Sequence, residues 1–193
     1  MQPTKIFHCW HFSIAIMSML LLTSSHLNAA ETKSYQEIDW IQLMPSDDLD
    51  ALLNPPEYLN DIADGSEQDS LDSLSLPSEN PSMDRFQQAL SSERVIPEFD
   101  KKAVRIPGYM VPLVSDEQQN VTEFFIVPYF GACMHMPPPP PNQMIYGKLP
   151  KGFKLTELTE AFWFEGTIHI ETTNNMTGTS AYAMSIDKIE IYE

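Results

Sequence analysis

Five consecutive prolines, Pro137 to Pro141, restrict this chain more than any other feature of its sequence. Each fixes its φ near about −65° and offers no amide hydrogen, so the run can enter neither a helix interior nor a central strand. Its natural form is a stiff polyproline II rod, which holds the segment before it in a fixed direction. Sixteen prolines against seven glycines extend the same restriction to the whole chain, and long regular elements should be few. The rod joins two apolar segments that read as strands. It is therefore expected to be an internal strap, with Tyr129, Phe130 and Tyr146 packing on it, rather than a ligand for another protein's aromatic groove.

Residues 101–193 read as β. Val104 to Val114 alternates in part and carries Pro107 and Pro112, as a bent or edge-like strand would. Asn120 to Phe130 is strongly apolar, and Gln143 to Leu149 is short. Ala161 to Thr172 places Phe162, Phe164, Gly166, Ile168 and Ile170 on one face and Trp163, Glu165, Thr167, His169 and Glu171 on the other. Ala181 to Tyr192 is the last. Thr156 to Glu160 is expected to give a short helix between the third and fourth strands. This layout matches a small OB-like five-stranded antiparallel barrel occupying residues 81–193. An open antiparallel sheet or sandwich is the alternative.

Residues 31–100 carry 17 Asp+Glu and 3 Lys+Arg, against 10 and 7 in residues 101–193. Over 31–60 the chain reads as an acidic, partly helical N-terminal arm, with segments Asp39–Met44 and Asp47–Leu53. Asp47 and Asp48 stand where the helix dipole favours acids. Residues 61–80, rich in Ser, Asp and Glu, read as a flexible acidic loop. Ser82 to Leu90 is a further helix with Ser82 as N-cap and Met83, Phe86 and Leu90 on one face.

The first thirty residues read as an address. Lys5 precedes an uncharged run of 11 residues, Phe12 to Leu22, and a polar stretch leads to Ala29 and Ala30. At about 1.5 Å rise per residue that run is too short for a hydrocarbon core of about 30 Å. A cleaved signal peptide over 1–30 is expected, with a periplasmic product and no stable membrane span after cleavage. An uncleaved anchor is the alternative. Cleavage removes one of 11 basic residues, none of 27 acidic ones, Cys9, and three of the five histidines. Such an acidic product repels phosphate backbones, so no nucleic-acid partner is expected.

What remains is Cys133 with His135 and, elsewhere, His169. In extended backbone Cys133 and His135 project from the same side. A thiolate and an imidazole suit zinc, and the flanking Met134 and Met136 extend the choice to Cu(I). A third ligand would have to come from His169 or from a carboxylate such as Glu123, Glu165 or Glu171. Two other readings stand beside this one. Cys133 can be a small buried residue with His135 hydrogen-bonded nearby, or a nucleophile whose pKa His135 lowers. Tyr109, Tyr129 and Trp163 are candidates for a partner-binding surface.

The block Val127-Pro-Tyr-Phe-Gly-Ala-Cys-Met-His-Met-Pro-Pro-Pro-Pro-Pro-Asn-Gln143 resembles the hallmark of a bacterial envelope family known as a domain of unknown function. Val104 to Leu113, Val121 to Phe124, Ala161 to Gly166, and Asp39-Trp40 with Leu43 and Pro45 are similar to it as well. The resemblance covers roughly residues 36–53 and 90–192, and residues 54–80 look like an insertion. It implies a small exported protein with no established reaction, with some relatives beside zinc-responsive ABC transport systems. It also favours Cys133 and His135 as a site. The expectation is an exported, non-enzymatic envelope protein that handles zinc or copper as an accessory to an ABC transporter. The alternatives are a metal-free partner-binding module of an envelope complex and a thiol-dependent enzyme using Cys133.

Overall fold

The computed structural model describes residues 33–61, 80–132 and 138–193. The expected signal peptide, Cys133, His135, Pro137 and nearly all of the acidic stretch 61–80 lie outside the described residues. In chain order the elements are β1 (Gln36–Glu37), α1 (Ser46–Leu53), α2 (Pro81–Leu90), β2 (Ala103–Ser115), β3 (Val121–Val127), β4 (Ile145–Phe153), β5 (Ala161–Asn174) and β6 (Thr179–Ile191). Short 3-10 turns at Trp40–Leu43, Glu57–Asp61, Pro97–Phe99 and Pro141–Gln143 link them.

The long strands pair in the order β2-β3-β4-β6-β5, and β5 returns to β2, closing a five-stranded barrel. Strand β2 makes closure possible by serving two neighbours in succession. Its first half pairs with β5 and its second half with β3, and Tyr109 is the handover, opposite both Ala161 and Val127. The two prolines within β2 fit because side chains and a bulge replace regular ladder contacts. The Pro107 carbonyl accepts a hydrogen bond from Trp40 Nε1 at 2.6 Å, and the β2–β3 register shifts just after Pro112.

Two expectations need correction. The barrel is not antiparallel throughout, because β4 and β6 run parallel from Ile145 opposite Tyr182 to Lys148 opposite Ser185. There is also no helix between the third and fourth barrel strands, since residues 154–160 form coil and a turn. So short a segment cannot repay helix nucleation without an apolar face to bury. Leu155 packs at the core edge, whereas Leu158 is 56 % exposed. Among the described residues the α-helices are α1, in the N-terminal arm, and α2, and both precede the barrel strands. The cap of α2 is Asn80, not Ser82: its side chain accepts from Ser82 N at 3.0 Å, and Pro81 takes the first helical position.

The barrel interior is filled by Phe124, Ile126, Ile145, Phe162, Phe164 and Ile168, all 2 % exposed or less. Phe164 meets Phe124 and Phe162 with ring centroids 5.8 and 6.2 Å away. Ile38 and Leu43 from the arm enter the same core. Tyr182 fastens them, donating its hydroxyl to the Leu43 carbonyl at 2.8 Å while accepting from Ile96 N at 2.7 Å. Burial pushes the Tyr182 phenol up to about 12. A second apolar cluster lies on the opposite face of the strands and comprises Phe125, Val127, Ala132, Met144, Tyr146 and Ala183. Strand β3 therefore buries both faces, which accounts for its nearly unbroken apolar run.

Candidate functional site

The described ends of the Val127–Gln143 block show how it is held. At its N-terminal end the chain leaves β3 at Val127, and Ala132 is fully buried in the second cluster. Tyr129 and Phe130 between them are 44 % and 45 % exposed. Phe130 leans against Tyr109, ring centroids 6.1 Å apart. At the C-terminal end Pro139 and Pro140 are buried, as expected of a strap. The 3-10 turn Pro141–Gln143 is then pinned on three sides. Asn142 N donates to the Ser92 carbonyl at 3.2 Å, Asn142 Nδ2 to the Arg94 carbonyl at 3.0 Å, and Gln143 Nε2 to the Trp40 carbonyl at 2.8 Å.

Behind this turn sits a buried carboxylate. Asp48 on α1 is 0 % exposed and receives Arg85 Nη2 at 2.5 Å, Ser92 Oγ at 2.6 Å, Arg94 Nη1 at 3.1 Å and Asn142 Nδ2 at 3.5 Å. Its neighbour Asp47 is gripped by both terminal nitrogens of Arg94, at 2.6 and 2.9 Å, and also by Arg85 at 2.9 Å. Hydrogen bonding from Arg94 holds the Asp47 carboxyl down at about 2. Both acids look like ordinary helix-start residues in the sequence. Their arginine partners lie 37 to 47 positions away, with no periodicity to betray them.

Two apolar depressions open on either side of Tyr129 and Phe130. The larger, about 220 Å³, is a groove between the helical arm and the strap, floored by Met44, Leu49, Leu52, Leu90, Tyr129 and Pro139. The smaller, about 160 Å³, is lined by Tyr109, Val111, Pro112, Phe130 and Leu158. Of the three expected surface aromatics, Tyr109 and Tyr129 thus border adjacent hollows. Trp163 is occupied elsewhere, with Arg105 stacked 4.1 Å from its ring centroid and Tyr192 5.0 Å away on the outside of β5.

His169 is half-buried on the outer face of the barrel. Register sets it in one row with Ala183, Tyr146, Phe125 and Val111, crossing five strands. Its Nε2 lies 3.2 Å from Ser185 Oγ. Two of the candidate carboxylates are separately engaged: Glu123 accepts the Tyr146 hydroxyl, and Glu165 faces Arg105 at 3.5 Å. Burial, followed by the bond to Glu123, pushes the Tyr146 phenol up to about 12. Among the described residues no three of His, Cys, Asp or Glu converge on one point, and no helix is long and apolar enough to cross a membrane.

Comparison with known proteins places this arrangement. A family profile described as "Protein of unknown function (DUF3299)" matches residues 40–191. The chain is also similar to the crystal structure of a DUF3299 family protein from Pseudomonas aeruginosa PAO1. That likeness has a TM-score of 0.60 at 34 % identity and covers 83 % of this chain and 97 % of that one. No curated protein matches.

Proposed function

The chain belongs to the DUF3299 family, and from that premise we propose that it is an exported, non-enzymatic partner-binding module of the cell envelope built on an OB-like barrel. The closed five-strand order and the one parallel pair among the five barrel strands, β4–β6, support the OB-like reading. The observation that carries the binding role is the exposure of Tyr129 and Phe130 between two apolar hollows, in a segment whose exit is anchored by Asn142 and Gln143. Aromatics with apolar surroundings on a rigid support are typical interface anchors. An envelope protein such as an ABC transporter subunit is a suitable partner. A photo-crosslinking residue at position 130, in cells, should give a discrete adduct that a chelator leaves unchanged and Tyr129→Ser weakens. The same probe at Met176, a fully exposed residue, should give none. Absence of an adduct at 130 would overturn the proposal. Export is checked by N-terminal sequencing of the periplasmic protein, which should begin near Glu31.

A second reading is favoured by the spacing of Cys133 and His135: zinc or Cu(I) handling, with His169 as third ligand. The mature protein should then bind about one metal ion, and Cys133→Ser should weaken binding clearly. Equal affinity of wild type and variant would end that reading.

A further inference from the structure

We infer that the groove between the arm and the strap receives a basic, amphipathic peptide segment of the partner, an inference that rests on the partner-binding reading and gives the partner its chemistry. The floor is apolar, formed by Met44, Leu49, Leu52, Leu90, Tyr129 and Pro139, and at about 220 Å³ it has room for one or two large side chains. The part of the chain that supplies Met44, Leu49, Leu52 and Leu90 to this floor is acidic and carries no spare positive charge. Residues 31–100 contain 3 Lys+Arg, and all are engaged: Arg85 and Arg94 with Asp47 and Asp48, Lys33 with Asp187. Asp50 on α1, Asp84 on α2, and Glu57 and Asp61 in the turn after α1 are exposed, and no lysine or arginine in this part of the chain is left to answer them.

An apolar trough formed by helices that carry uncompensated exposed acids selects its ligand by two criteria at once. The ligand must bring large apolar side chains for the floor and lysine or arginine for the acids on the helices that form it, the pattern of an amphipathic cationic helix with anchors at i, i+3 or i+4, and i+7. The charge also disfavours the other occupants. A second copy of this chain brings a net charge of −16, and an anionic lipid surface is repelled by the same acids.

The test measures anisotropy of a labelled amphipathic leucine–lysine peptide of about four helical turns titrated with the mature protein. A leucine–glutamate peptide of the same pattern is the comparison. Saturable binding of the lysine peptide alone is expected. Leu52→Asp removes part of the floor while adding an acid. Binding in the groove predicts an affinity roughly tenfold weaker, whereas bulk charge attraction predicts a tighter one. Asp50→Lys with Glu57→Lys changes exposed positions only, and should weaken binding with the circular dichroism spectrum unchanged, which covers the case in which Leu52→Asp fails to fold. Vesicles containing phosphatidylglycerol should not bind. Equal binding of the two peptides, unchanged or tighter binding by a folded Leu52→Asp protein, or vesicle binding lost in that variant would each overturn the inference. The crosslink at position 130 separates the readings. If it persists while the lysine peptide fails to bind, a partner exists but is not basic. If both are lost, the binding role itself falls.

Discussion

A methyl group added at Gly166 would come within 2.4 Å of the Ser185 carbonyl oxygen and 2.9 Å of Met184 Cγ. The register of β5 on β6 shifts at this point, so the backbones cross here more closely than a Cβ permits. Gly166→Ala should cost about 3 kcal/mol, read as a lower urea midpoint with an unchanged slope. Asp48 gives a second prediction at this scale. Its arginine partners have side chains 32 % and 55 % exposed and can be rehydrated, but Ser92 and Asn142 are buried. Asp48→Ala should therefore destabilise by about 2–3 kcal/mol, chiefly through those two donors, and urea denaturation measures it. Ser92→Ala should cost less, because Asp48 keeps its arginines.

Asp47 belongs to the junction of α1, α2 and the segment after α2. Its folded carboxyl is held at about 2, below an ordinary value of 3.8. A depressed folded pKa contributes stability that is complete above the ordinary value and lost as the proton binds. The junction should weaken as pH falls from about 4 to about 2, and Asp47→Asn should remove part of that slope in denaturation midpoints measured against pH. The strands themselves are legible one by one. In β5, Phe162, Phe164 and Ile168 are buried while Trp163, Thr167 and His169 are half-exposed, as the period of two requires. Ile170 breaks the pattern at 39 % exposure, because the register with β6 slips beyond it. The absent helix at 156–160 and the Asp48 cluster were not legible. Residues 156–160 offer acids at a helix start but no apolar face to bury, and the Asp48 cluster depends on partners brought together only by the complete fold. The candidate site was legible in part. The aromatic surroundings of the block stand out in its composition, whereas the uncompensated charge of the helices beside the groove emerges only when Arg85 and Arg94 are seen to be occupied. The pair Cys133 and His135 lies outside the described residues.

For the whole molecule, charge is the dominant long-range term. A net charge of −16 makes the compact state repel itself more than the expanded chain does. Raising sodium chloride from about 20 to about 200 mM shortens the screening length several-fold and should raise the thermal midpoint, even though surface ion pairs such as Lys33–Asp187 weaken. A midpoint that falls with salt would mean that the ion pairs outweigh the repulsion. The two ends of the described chain are also bound to each other. Lys33 and Tyr35 both reach Asp187, and Leu43 hangs from the hydroxyl of Tyr182. Residues 33–43 thus find their partners only in β6, 139 to 154 positions further along the chain. The arm therefore cannot close ahead of the barrel, and its order should appear only with that of β6.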